Sequence, residues 1–154
     1  MPMDLYFGFV FLNHIQKRSY TSSIHSFGEV PMQKLKKSVL VVDDHAMSVK
    51  LLQQILEGEG FDVFSASSGE DAINLVREFK PDLALLDIIL VGINGYKTCQ
   101  VLKLVAPEMP IIFLSTVSDK DKGMQVGAVD YIVKPFQMQD VVERVKRHLG
   151  LTTA

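Results

Sequence analysis

Residues 38–44 read Ser38-Val39-Leu40-Val41-Val42-Asp43-Asp44. Four apolar side chains in succession, with no polar alternation, describe a strand covered on both faces, as inner strands of parallel sheets are. The run ends abruptly in two carboxylates. The same pattern recurs at Leu83–Leu86, which runs into Asp87, and at 111–114, which runs into Ser115-Thr116. The stretch 61–65 is more polar and is expected at a sheet edge, while 131–133 leads into Lys134-Pro135.

Amphipathic stretches separate these runs. Met47, Leu51, Leu52, Ile55 and Leu56 form a stripe at helical spacing, ended by Gly58 and Gly60. Ala72, Ile73, Leu75, Val76 and Phe79 form a second, opened by Ser68 and closed before Pro81. Further helices are expected over 96–105, over a short stretch at 120–126, and over 138–149. Strands and helices in strict alternation predict an α/β fold: a doubly wound, five-stranded parallel sheet of order 2-1-3-4-5, flavodoxin-like.

The chain has 154 residues, a length that suits one domain. Its charge is uneven. Residues 1–38 carry five Lys/Arg against two acids, a net of +3, and residues 39–154 carry eleven against sixteen, a net of −5. An acidic body argues against general nucleic-acid binding. The single cysteine, Cys99, excludes an internal disulfide and a thiolate zinc site, which fits a reducing cytoplasm. The apolar octet at 5–12 is far short of the roughly 20 residues of a membrane span. It also lacks the flanks of a secretory signal, so no membrane partner is expected. Residues 1–37 read as an extension, disordered or docking, residues 38–150 as the domain, and 151–154 as a tail. The chain is expected to be a stand-alone regulator or a piece of a larger protein.

In a sheet of this order the site lies beyond the carboxyl ends of the strands, near the switch in strand order. Those ends carry Asp43-Asp44, Asp87, Ser115-Thr116 and Lys134-Pro135. Each has an ordinary alternative: an aspartate can cap a helix, a serine can form a turn, a lysine can be solvated. Together the ordinary account weakens, because carboxylates held within several ångströms repel one another strongly. A cation relieves that repulsion, and hard oxygens suit Mg²⁺. A carboxylate nucleophile beside Mg²⁺ is the apparatus for an aspartyl phosphate, with Lys134 and Ser115 placed to hold phosphoryl oxygens.

These residues resemble the receiver domains of two-component response regulators. The matching stretches are 39–44, 81–87, 111–115 and Gly127-Ala128-Val129-Asp130-Tyr131-Ile132-Val133-Lys134-Pro135-Phe136, in order, within residues 38–150. The resemblance implies that Asp87 is the phosphoacceptor. It further implies that Asp44 ligates Mg²⁺ directly, that Asp43 acts largely through water, and that the Ile89 backbone carbonyl completes the protein's share. Ser115 matches the switch hydroxyl, with the Thr116 backbone beside it, and Lys134 matches the phosphate-binding lysine. Tyr131 matches the aromatic that turns inward on activation, and the Lys134-Pro135 peptide is expected to be cis. The implied partners are a sensor histidine kinase or phosphotransfer protein upstream, and a downstream effector or fused output. The implied role is that of a signalling switch assisting its own phosphoryl transfer and dephosphorylation, not of an enzyme acting on other substrates.

Several positions depart from the family pattern. Val91 replaces a usual proline, Asn94 a frequent aspartate, and Thr116 a usual small residue. The interval from Ser115 to Lys134 is short by roughly one helical turn, in the region that usually signals to partners. The run 134–149 resembles receivers fused to histidine kinases or diguanylate cyclases. A dinucleotide enzyme would need a glycine-rich turn where Asp43-Asp44-His45 stands. A haloacid-dehalogenase-type phosphatase would carry a second aspartate where Ile89 stands. The remaining rival is a receiver-like binding module that works without phosphorylation.

Overall fold

The computed structural model describes residues 36–152. The expectations for residues 1–35 and for 153–154 lie outside the described residues. Five parallel strands, β1 (Ser38–Val42), β2 (Asp62–Ala66), β3 (Leu83–Leu86), β4 (Ile111–Ser115) and β5 (Asp130–Val133), form one sheet of order β2-β1-β3-β4-β5. Five helices alternate with them: α1 (Ala46–Gly58), α2 (Gly69–Phe79), α3 (Gly95–Val105), α4 (Lys120–Gln125) and α5 (Met138–His148). Among the described residues, the expected strand order and the five expected helices are found.

The apolar strands are covered on both faces, as their lack of alternation requires. Every residue of β1, β3 and β4 is buried. One face sets Val39, Val41, Leu83, Leu85, Ile112 and Leu114 in a common cluster with side chains of α1 and α5, among them Leu52, Leu56, Val141 and Val145. The alternate residues Leu40, Val42, Ala84, Leu86 and Phe113 are equally buried. The more polar β2 lies at an edge, with Ser65 exposed.

Helix starts follow from short polar side chains. Ser68 Oγ accepts from the Asp71 N–H, Asn94 Oδ1 from Lys97 and Asp119 Oδ1 from Lys122, each satisfying an amide that the helix leaves unpaired. The α1 stripe differs from expectation. Val49, Leu52 and Leu56 face the core, whereas Met47 is 79% and Leu51 47% exposed. At 100° per residue, Met47 and Leu51 fall well round the helix from the Leu52–Leu56 direction, so the buried face is narrower than the apolar spacing suggests.

Candidate functional site

Parallel pairing brings the strand ends to one rim. The Asp87 N–H donates to the Val42 carbonyl at 2.9 Å, the Asp43 N–H to Ala66 at 3.1 Å, and the Lys134 N–H to Ser115 at 2.8 Å. These bonds continue the ladders one residue past the strands, so the side chains that follow share one edge.

At that edge Lys134 Nζ donates to Asp43 Oδ2 at 3.0 Å and to Asp87 Oδ2 at 3.2 Å. Both carboxylates are nearly buried, at 4% and 5% exposure. Burial would lower the Lys134 pKa, but the hydrogen bond to Asp43 and the charges of Asp43 and Asp87 outweigh it and hold the ammonium above its ordinary value. Asp87 Oδ1 is fixed from the other side by the N–H groups of Ile88 at 2.7 Å and Ile89 at 3.3 Å. The acceptor loop is also tied to α3: Gly95 N–H donates to Ile88 O at 2.7 Å, and a Cβ at Gly95 would stand 2.1 Å from the Asp87 carbonyl oxygen. Only glycine fits this approach of α3 to the loop.

Asp44 is not in the group of ligand atoms that converges here, which is Asp43, His45 and Asp87; its Oδ1 lies 3.0 Å from His45 Nδ1. His45 is the site residue absent from the sequence reading. Its N–H donates to Asp43 Oδ1 at 2.9 Å, and its ring Nδ1 lies 3.2 Å from the same oxygen. The available signal was a histidine directly after two strand-end aspartates. Asp43, His45 and Asp87 offer ligand atoms that all lie within 4.8 Å of one another.

Ser115 is fully buried and its Oγ accepts from the Val117 N–H at 3.3 Å. Thr116 is exposed. Tyr131 lies inward, 5% exposed, its ring 5.7 Å from that of Phe113 and its hydroxyl donating to the Val117 carbonyl. Burial, with Tyr96 nearby, pushes its phenol up to about 12. The Lys134–Pro135 peptide is cis. Ile89 is 55% exposed.

The donor chemistry fits a divalent cation. Asp43, Asp44 and Asp87 against Lys134 leave a formal charge of −2 on one rim, and the ligand atoms are mainly hard carboxylate oxygens.

Residues 39–146 match the family model described as the response regulator receiver domain. Among curated proteins, the DNA-binding response regulator MtrA of Mycobacterium bovis is 40% identical over 121 residues, covering 77% of this chain and 53% of that protein. The chain thus spans about half the length of the curated relatives it matches. Among solved structures, a putative response regulator from Chloroflexus aurantiacus is 35% identical, with a TM-score of 0.71 over 75% of this chain and 98% of that one. A CheY-like receiver domain protein from Methanospirillum hungatei is 28% identical, with a TM-score of 0.72 over 75% and 94%. Among the described residues, no helix is long and apolar enough to cross a membrane.

Proposed function

The chain belongs to the response regulator receiver family, and from that premise we propose that Asp87 is its phosphoacceptor, charged from a histidine kinase or phosphotransfer protein with Mg²⁺ at the same rim. The observation that carries this reading is the single ammonium, Lys134, bonded at once to Asp43 and Asp87. A buried carboxylate pair held together by one lysine is compact enough to meet both a cation and a phosphoryl group.

In the transfer, an Asp87 carboxylate oxygen forms a bond to phosphorus while the phosphorus–nitrogen bond of the donor phosphohistidine breaks. The departing imidazole nitrogen keeps the bonding pair and takes a proton. Lys134, held in its charged form, binds a phosphoryl oxygen; the Ser115 hydroxyl and the Thr116 N–H donate to others. Asp44, Asp87 and the Ile89 carbonyl would hold Mg²⁺, with Asp43 acting largely through water. When bound, the ion neutralises charge on the phosphoryl oxygens. Movement of Ser115 toward the phosphoryl group then biases the packing of Tyr131 and changes the surface around α4 and β5.

The same reading makes the domain a cytoplasmic signalling switch that assists its own phosphoryl transfer. Its effector is a separate protein or a fused output. The curated relatives are named DNA-binding, so the expectation of no nucleic-acid contact is confined to the acidic residues 39–154. The six residues of α4 favour one alternative, a binding module independent of phosphorylation.

Borohydride trapping tests the assignment. Reduction of an acyl phosphate converts its aspartate to homoserine, and peptide mass spectrometry after phosphodonor treatment should find that change at Asp87. Homoserine at Asp43 or Asp44 would overturn the assignment, and no conversion at all would favour the phosphorylation-independent module.

A further inference from the structure

His45 stands where its ring nitrogen faces the oxygens assigned above to the metal. Nδ1 lies 3.2 Å from Asp43 Oδ1 and 3.0 Å from Asp44 Oδ1, and a ring nitrogen joins oxygens of Asp43 and Asp87 within 4.8 Å. We propose that His45 is a nitrogen ligand of the metal at this rim and shifts the site's preference from Mg²⁺ toward borderline divalent cations such as Mn²⁺, Co²⁺ and Zn²⁺. The inference rests on reading the aspartate cluster as a metal site.

Three features support it. The backbone turn is set locally, because the His45 N–H donates to Asp43 Oδ1 at 2.9 Å and so folds the residue back over that carboxylate. The ring is 71% exposed, so apolar packing does not explain its position; its two carboxylate contacts do. Finally, Mg²⁺ strongly prefers oxygen and dehydrates reluctantly, whereas imidazole suits later first-row metals.

In the metal-free protein, a proton on Nδ1 can bridge to either carboxylate. As a ligand, Nδ1 presents its lone pair, the neutral ring keeps its proton on Nε2, and the exposed ring leaves water free to accept from it. Three carboxylates already supply the charge that attracts a cation, so Mg²⁺ binding does not depend on the imidazole. Discrimination between cations does.

Calorimetric titration of the full chain with Mg²⁺, Mn²⁺ and Co²⁺ tests this in the wild type, His45→Ala and Asp87→Asn. Removing His45 should weaken Co²⁺ and Mn²⁺ about tenfold or more, the scale on which metal-site partners act, and leave Mg²⁺ nearly unchanged. The other histidines, His14, His25 and His148, are common to both proteins and cancel. Proton NMR of the Co²⁺-loaded wild type should show strongly shifted, non-exchanging imidazole C–H resonances that are missing in His45→Ala. Equal effects on Mg²⁺ and Co²⁺, no effect on either, or no shifted resonance overturns the role of His45 while leaving the aspartate site standing. If Asp87→Asn binds all three ions like the wild type, the metal-site reading itself fails, and this inference with it.

Discussion

Gly123 lies under the ring of Tyr131 so closely that a Cβ there would stand 2.7 Å from the ring. It would also meet the Phe113 ring at 3.1 Å. Gly123 sits inside α4, where glycine destabilises a helix by roughly 0.5–1 kcal/mol relative to alanine. The inward tyrosine explains why a small residue is needed: its ring fills the space above the helix, and its hydroxyl ties β5 to the Val117 carbonyl just past Ser115. Tyr131 therefore links α4, β5 and the loop at the candidate site.

Gly123→Ala sets helix propensity against packing. Overpacking a filled site costs typically about 1–3 kcal/mol, more than the propensity gain, so chemical denaturation should show a net loss of stability. Relief by turning the ring outward should bring the Tyr131 phenol back from about 12 toward its ordinary value, read as tyrosinate absorbance. A stabilised variant with an unchanged phenol titration would contradict this packing.

Tyr131 also sets an alkaline limit. Its folded pKa, about 12, lies above the ordinary 10, so the folded state holds that proton more tightly. The resulting stability is fully present below pH 10 and is lost as pH rises through 12, a contribution on the order of 3 kcal/mol. Lys134, also raised, acts in the same direction. Denaturant midpoints measured from pH 9 upward should fall more steeply for the wild type than for Tyr131→Phe. Parallel curves would show that Tyr131 does not contribute.

Ser115→Ala separates phosphorylation from response. The serine is buried and its Oγ accepts from the Val117 N–H, so its loss leaves Asp87 and Lys134 in place. The variant should still take up a phosphoryl group, while amide shifts around Tyr131 on adding beryllofluoride should shrink severalfold relative to the wild type. Wild-type shifts that are insensitive to beryllofluoride would mean that the domain does not switch through this route.

The phosphorylated state should be long-lived. Hydrolysis needs an in-line water, and the flanking positions carry Ile89, more than half exposed, and Val117, neither of which can orient or deprotonate one. Replacing Ile89 with Asn or Glu should speed decay about tenfold, equivalent to about 1.4 kcal/mol of barrier. Decay curves after removal of the phosphodonor give the answer: a wild-type lifetime of seconds, or no acceleration in the variant, argues against the lack of a water-orienting group at Ile89 as the cause.

The fold was legible because its signals are local. Short uninterrupted apolar runs such as Val39–Val42, alternating with helical stripes, read as strands covered twice, and Ser68 marks a helix start that its Oγ caps. Met47 and Leu51 were misplaced because apolar spacing fixes a helix more firmly than the edge of its buried face. In the site, the strand-end rule gathers Asp43, Asp87 and Lys134 from sequence, and the structure brings the three together. His45 and Gly123 were not legible in the same way. The first depends on a turn folding a ring back onto its neighbour, the second on which way Tyr131 lies. Neither leaves a periodic trace.

The most direct measurement is phosphoryl uptake from acetyl phosphate, followed by intact mass, in the wild type and in Asp87→Asn, with Mg²⁺ or with EDTA. The account predicts one phosphoryl group on the wild type with Mg²⁺, and none on Asp87→Asn or in EDTA. Normal labelling of Asp87→Asn, or labelling indifferent to EDTA, would contradict it.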